Sequence, residues 1–576
     1  MKKKLLFGMA MMLGLTTTMN AQERFLDEIF SDAQVTVVTD QPYSVNINFL
    51  MSDFSDSAAV QADLTVLQTI AATTGQYPMK YFTPNHAGTP AGDSTSVKIS
   101  VQKMDIYMPI PAMDTMAKRP VIFYAHTGSF LPKGINGQAT GDKNDSAAVE
   151  LCKQWAKRGY VAIAVNYRTG WNPIATDQDV RTGTLLNAVY RSVHDLKQAV
   201  RVAKYTTLGN NPFAIDENKM VVYGQGSGGY TSLAYGSMTK QAELELDKFK
   251  DVYGNSYVNT TRVGTVDGFG GTMNLYQDSF STAGITSDVE LVVNAGGALA
   301  DISWIEAGEP AVVSLHCIRD AFAPFDTGTV IVPTTQEVVV DVNGPGTYMS
   351  KVNALGNNDS FKDMWNADDH SVVARARYGQ TYSYIYAAPK DQITLATDLD
   401  GLFPFVIEKG ASVFQNTGAP WEWWSLADLQ ALEAYYASVG ITIDAAAVNQ
   451  SSLFSNPNGH DKAHALAYID TIQAYMHPRV MRQLQIGNWE ALSTQNIQVN
   501  EVFSIYPNPA NNLVTIDSKE GNIQGVRIYD VTGRLVYQEV ANVTKLNINI
   551  SNLTKGLYVI NVTTQKGENV EKLIIE

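Results

Sequence analysis

Met220-Val221-Val222-Tyr223-Gly224-Gln225-Gly226-Ser227-Gly228-Gly229 is an apolar run that enters a glycine-rich turn. Apolar, β-prone residues over 220–223 predict a short buried strand, the glycines a tight turn, and the residues beyond them a helix. Two chemistries use such a turn. A phosphate cradle would employ its amides and the helix N-terminus, but no Lys-Ser/Thr pair closes this loop and the dinucleotide glycine spacing does not fit. A nucleophile elbow would lift a serine above the sheet and set the next N–H against a developing oxyanion. The elbow fits better.

Outward from this turn, strands alternate with helices. Residues 120–125 (PVIFYA) form a buried strand running into His126-Thr127-Gly128-Ser129-Phe130, and a helix over 146–158 is stopped by Gly159. Residues 161–167 are the next strand. Leu186, Val189, Val193, Leu196, Val200 and Ala203 then recur at spacings of three and four, one apolar face of a long helix over 185–205. Residues 310–315 make a further strand, ending in His316-Cys317-Ile318-Arg319-Asp320, and a helix over 462–476 closes the series. This alternation predicts an α/β fold with a mostly parallel, buried sheet and flanking helices. Residues 25–109 are mixed, with strand-like pieces at 35–38 and 97–108 and a helix at 58–72. A long insertion over about 326–458 holds Trp421, Trp423 and Trp424, which either wall a substrate site or pack the insertion's own core.

The chain has 576 residues, enough for two or three folded units. With 45% hydrophobic and 17% charged residues it is an ordinary globular protein. Its 42 Lys+Arg against 57 Asp+Glu give a formal charge of -15, which excludes the cationic footprint that nucleic acid needs. Lys2, Lys3 and Lys4, an apolar run over 5–15 and a small Ala21 read as a signal peptide over 1–21. No later apolar stretch reaches the ~18 residues that span a bilayer. Cys152 and Cys317 are the two cysteines, and both are expected as separate buried thiols. Neither a cofactor motif nor a metal template is present; Asp363, Asp368, Asp369 and His370 read as an acidic solvated loop, since their spacing fits no cation site.

The tail changes character. Residues 503–576 carry short alternating strands at 513–516, 526–529, 535–537, 546–550 and 558–562 between Asn, Gly and Pro turns, the pattern of a small β-sandwich. Tyr506-Pro507-Asn508-Pro509, Val526-Arg527-Ile528-Tyr529-Asp530 with Gly533-Arg534, Leu553 with Gly556-Leu557-Tyr558, and Lys572-Leu573-Ile574 occur in that order. In these segments the tail resembles the C-terminal sorting domain of proteins exported by the type IX secretion system of Bacteroidetes. The resemblance implies engagement of that machinery, passage across the outer membrane, and release or attachment at the cell surface. The resulting division is a signal peptide (1–21), an N-terminal segment (22–100), an α/β domain (101–490), a linker (491–502) and a sorting domain (503–576).

Residues 104–484 resemble the α/β-hydrolase superfamily, esterases and lipases in particular. His126-Thr127-Gly128-Ser129 is similar to their oxyanion loop, the segment after the 310–315 strand to the place of their triad aspartate, and Asn458-Gly459-His460 to that of their triad histidine. The resemblance implies hydrolysis of a small-molecule or polymeric carboxylic ester. Ser227 would be the nucleophile, His460 its base and Asp320 the orienting acid, with N–H groups of Gly228 and of Gly128 or Thr127 at the oxyanion. The elbow admits two registers. Glycine is usual two residues before and after the nucleophile; around Ser227 those positions hold Gln225 and Gly229, whereas around Gly226 they hold Gly224 and Gly228. The second register makes the domain a binding protein with glycine at the nucleophile position. Other histidines are assigned lesser parts: His464 as an alternative base, His370 as a weaker one, His126 and His316 as strand-end packing, and His194 as a surface or core-edge residue.

Overall fold

The computed structural model describes residues 23–83, 95–332, 337–384, 392–408, 410–412, 414–492, 503–519, 521–530, 533–564 and 567–576. The signal-like segment 1–21 lies outside the described residues, as do residues 493–502 of the linker.

The first strands are β1 (Val35–Ile47) and, after helix α1 (Ser57–Thr73), β2 (Ile99–Pro109) and β3 (Arg119–Ala125). Helix α2 (Ser146–Lys157) leads to β4 (Val161–Val165), α3 (Gln178–Thr206) to β5 (Ile215–Gln225), and α4 (Ser227–Ser237) follows directly. The short α5 (Thr260–Val263) precedes β6 (Leu291–Ala295) and β7 (Ala311–Cys317). Two small hairpins, β8 (Thr327–Ile331) with β9 (Val338–Asn343) and β10 (Thr381–Ser383) with β11 (Gln392–Thr394), flank α6 (Pro345–Ala354) and α7 (Asp369–Arg377). Strand β12 (Leu402–Phe405) and helices α8 (Leu426–Ser438), α9 (Ala445–Ser455) and α10 (Lys462–Leu484) complete this part.

One eight-stranded sheet organises it, in the order β1-β2-β4-β3-β5-β6-β7-β12. The β1–β2 and β2–β4 pairs are antiparallel, and every pair from β4 to β12 is parallel. Strands β3, β4 and β6 are buried at every residue, because helices cover both faces. Helices α2 and α10 pack together through Trp155 Nε1, which donates to Gln473 Oε1 at 2.8 Å; α3 meets α4 through Ser192 and Thr231, whose hydroxyls lie 2.7 Å apart. Asp145 precedes α2, and its carboxylate takes the Lys133 ammonium at 2.9 Å and the N–H groups of Gly141 and Asp142, fixing the loop between β3 and α2.

The structure extends the sequence reading at both edges of the sheet. The 22–100 segment is not separate from it: β1 and the start of β2 form its antiparallel edge. The 326–458 stretch, read as an insertion, contributes β12. That strand is only Leu402-Phe403-Pro404-Phe405, too short for periodicity to reveal, and its proline is tolerated because β12 lies at the sheet edge.

The tail folds as antiparallel strands: β13 (Phe503–Tyr506), β14 (Leu513–Ser518), β15 (Ile523–Asp530), β16 (Leu535–Val543), β17 (Lys545–Asn549), β18 (Gly556–Thr564) and β19 (Gly567–Ile575). They form a three-stranded sheet, β13-β14-β17, and a four-stranded one, β16-β15-β18-β19, around a separate core that includes Val514, Ile516, Ile528, Ile548, Ile560 and Val562. This tail rests against α7: Tyr529 Oη and Asn561 Nδ2 each donate to the Asp369 carboxylate at 2.5 Å. Asp368 caps α7 by accepting the Ser371 N–H, so the acidic loop serves as a helix start and a docking point.

Candidate active site

The parallel strands β3, β5, β6 and β7 end on one side of the sheet, where such folds gather their ligand sites. Strand β5 ends at Gln225, Gly226 forms the apex, and α4 begins at Ser227. Gly226 has φ +55° and ψ -116°, a conformation that L side chains rarely adopt. Glycine on either side is a packing requirement: a Cβ at Gly224 would lie 1.8 Å from the Gly228 carbonyl oxygen, and one at Gly228 would lie 2.0 Å from the Ala125 carbonyl oxygen. The chain therefore turns in the register centred on Gly226. A Cβ at Gly226 would itself fall 2.2 Å from Thr127 Oγ1, so the Thr127 hydroxyl fills the volume where a side chain at the apex would start.

Ser227, one residue on, is the first residue of α4 and 6% exposed. Its Oγ lies 3.0 Å from Tyr167 Oη. Tyr167 gives its single hydroxyl proton to the His126 carbonyl at 2.7 Å, so in that contact Ser227 is the donor. Burial pushes the Tyr167 phenol well above its ordinary value. The His126 ring stacks on Tyr167 at 4.3 Å between centroids, with its Nδ1 2.6 Å from the Thr127 carbonyl, as expected of a packing histidine.

Asp320 stands in the loop after β7. Its Oδ1 accepts the N–H groups of Phe322 and Ala323 at 2.8 and 3.0 Å. Burial nevertheless raises its carboxyl to about 7. His316 Nε2 is 3.8 Å from Asp320 Oδ2 and 3.1 Å from the Ala323 carbonyl; burial lowers this imidazole to about 4, so it is neutral near pH 7.

His460 is elsewhere. It is exposed, with Nε2 2.8 Å from Asn449 Oδ1 and its ring edge-on to Trp424. His464 has Nε2 3.3 Å from Asn458 Nδ2 and packs on Tyr468. Neither lines the cavity above the elbow. His370 is half-buried between Phe403 and Tyr529, and His194 is fully buried against Tyr190 inside α3, not at a surface. Both cysteines are buried free thiols.

That cavity has a volume of about 200 Å³ and is walled mostly by apolar groups. Ser227, Asp320, Thr127, Gly128 and Gly226 line it. Gly228 N–H is in the first turn of α4 and has no intrahelical partner, so the oxyanion donors expected from sequence sit around one apex. The cavity also brings in residues that the sequence did not single out. Glu422 Oε1 accepts from Gln225 Nε2 at 2.5 Å and Oε2 from Thr140 Oγ1 at 3.1 Å; burial, then the nearby Asp145, raises Glu422 to about 7. Gln225 is itself held by the Tyr124 hydroxyl at 2.9 Å. Trp421, beside Glu422, is 1% exposed, packs on Phe405 and lines the cavity, so it serves as both core and wall. The loop carrying both follows β12; the pairing of β12 with β7 and the Asn456 side chain, which donates to the Ala419 and Glu422 carbonyls, hold it at the elbow. Among the described residues no cluster of three His, Cys, Asp or Glu could hold a metal ion.

Residues 104–329 match the family described as BD-FAE, an α/β-hydrolase-type esterase family, and residues 504–576 match a secretion system C-terminal sorting domain. The chain joins an esterase-type α/β-hydrolase domain to a type IX secretion sorting domain. The hydrolase domain is similar to an esterase from the planctomycete Thermogutta terrifontis, at 17% identity and a TM-score of 0.23, over 39% of this chain and 70% of that one. It is also similar to MGS-M1, an α/β hydrolase from a Medee basin deep-sea metagenome library, at 13% identity and a TM-score of 0.22, over 42% of this chain and 69% of that one. No curated protein matches. The sorting domain makes this an exported protein, secreted or held at the cell surface. No helix among the described residues is long and apolar enough to cross a membrane.

Proposed function

We propose that the hydrolase domain is an exported receptor for a small apolar ester or related molecule, and that it holds this ligand without forming a serine acyl-enzyme. The observation that carries the reading is the Gly226 apex. In an elbow of this kind the residue at the left-handed turn presents the nucleophile, and here it has no side chain. Two further features support it. The Ser227 proton is directed at a tyrosine oxygen, not at a base, and no histidine lines the cavity among the described residues. What remains is an apolar chamber with a few fixed polar groups, the usual composition of a small-molecule site.

A fluorophosphonate probe tests this directly. The full chain is expected to label no more than its Ser227→Ala variant, while an aryl ester raises its melting temperature. Labelling of the native chain that vanishes in Ser227→Ala would overturn the proposal.

A second reading is favoured by one observation: Ser227 and Asp320 line the same cavity. In it Ser227 attacks the ester, the N–H groups of Gly228 and of Gly128 or Thr127 receive the oxyanion, and Asp320 orients His460 or His464 as base. It requires a histidine to move to Ser227. Ester turnover lost in both Ser227→Ala and His460→Ala would establish it.

A further inference from the structure

Two carboxyl groups, Asp320 and Glu422, line the cavity, and among the described residues no Lys, Arg or His lines it with them. A buried carboxylate is costly unless paired. Glu422 has two neutral donors, Gln225 and Thr140, and its nearest cation, Lys133, is engaged by Asp145 at 2.9 Å. Asp320 spends Oδ1 on two backbone N–H groups, and its histidine neighbour is neutral. Its Oδ2 lies 3.4 Å from the Cβ position of Gly296, itself a lining residue, and Trp421 Cζ2 lies 3.8 Å from the same point. Asp320 and the indole of Trp421 thus share one wall. Trp421 is 1% exposed, so its indole is a fixed part of this wall. Trp424, Tyr230 and Phe322 add aromatic surface around it.

We infer that the cavity takes an apolar or aromatic amine, its ammonium set against Asp320 and Glu422 and its body along the tryptophan wall. This rests on the reading of the domain as a small-molecule receptor and names the ligand's chemistry. An ammonium supplies the charge that the two carboxyl groups lack within the protein, and aromatic faces attract cations as well as apolar surface. An anionic head gains nothing here, since among the described residues no cation lines the chamber to meet it.

Three probes with one aromatic body separate the possibilities: 2-phenylethylamine, 2-phenylethanol and 3-phenylpropanoate, titrated calorimetrically into the full chain near neutral pH. The amine is expected to bind roughly tenfold or more tighter than the alcohol, and the carboxylate weakest. The amine-to-alcohol ratio should fall to about threefold or less in Asp320→Asn and in Glu422→Gln. Alcohol binding equal to or tighter than amine binding overturns the inference and leaves the receptor reading standing. Failure of all three to bind also overturns the inference, and the aryl-ester thermal shift then decides the receptor reading. A ratio unchanged in both variants also overturns it, because the amine would then be held elsewhere. Should either variant fail to fold, the three-probe series on the native chain decides alone.

Discussion

The apex geometry predicts a specific outcome for Gly226→Ser, the substitution that would place a hydroxyl where an elbow carries one. Its Cβ would lie 2.2 Å from Thr127 Oγ1 and 3.0 Å from Thr127 Cβ, so the new side chain competes with Thr127 for one volume. Overpacking of that kind costs about 1–3 kcal/mol. A non-glycine residue at this φ and ψ adds about 1–3 kcal/mol of backbone strain. Gly226→Ser alone should thus lose roughly 2–6 kcal/mol of unfolding free energy, read by urea denaturation at constant m-value. The contribution from Thr127 is separable. Thr127→Gly removes the two nearest atoms, and the Cα that remains is 3.5 Å from the new Cβ, an ordinary contact. The double variant should recover about 1–3 kcal/mol beyond additivity, leaving the backbone strain and the cost of Thr127→Gly itself. A Gly226→Ser protein as stable as the native chain, or a cycle with no coupling, would refute the claim that Thr127 occupies the apex.

Stability should depend on pH through Glu422 and Asp320. Both carboxyl groups are raised to about 7 by burial, so between the ordinary carboxylate range and about 7 the folded state binds more protons than the unfolded one. Their contribution is complete below the ordinary carboxylate range and is lost progressively as pH rises from there through about 7. Glu422 faces Asp145, Lys133, Tyr124 and Tyr223, and Asp320 faces His316, Cys317 and Tyr384; none supplies a free cation to reverse the sign. Glu422→Gln should therefore gain stability relative to the native chain between pH 5 and pH 8, by on the order of 1–3 kcal/mol, and an unchanged difference would exclude the effect. Asp195→Ala should cost about 3–5 kcal/mol. Asp195 is fully buried and accepts from the Arg168 N–H at 2.6 Å, the Arg168 side chain and Tyr276 Oη. Since Arg168 follows Tyr167, the same variant should loosen the Tyr167–Ser227 contact, visible as altered near-UV dichroism.

How much of this is legible in the sequence follows from the range of the forces involved. The alternation of buried strands with amphipathic helices is local, so β3, β4, β7 and α3 can be read from apolar spacing, and the tail from its ordered turn motifs. Glu422 was hidden, and the choice between wall and core for Trp421 was left open, for the opposite reason. Nearly 200 residues separate them from Gln225, and a four-residue edge strand, with hydrogen bonds from the end of α9, carries their loop back to the sheet. His460 illustrates the converse: the chain order Ser, Asp, His can be read, but whether a histidine enters the cavity depends on how α8 and α9 are laid over it, which no spacing encodes. The glycine turn carries the sharper lesson. Gly224 and Gly228 are glycines because β5 approaches a carbonyl of α4, and α4 a carbonyl at the end of β3, to within a Cβ. That demand is met whether or not the residue between them has a nucleophile, so the pattern reports how the elbow packs. It is the residue at positive φ, Gly226, that reports what the elbow can do.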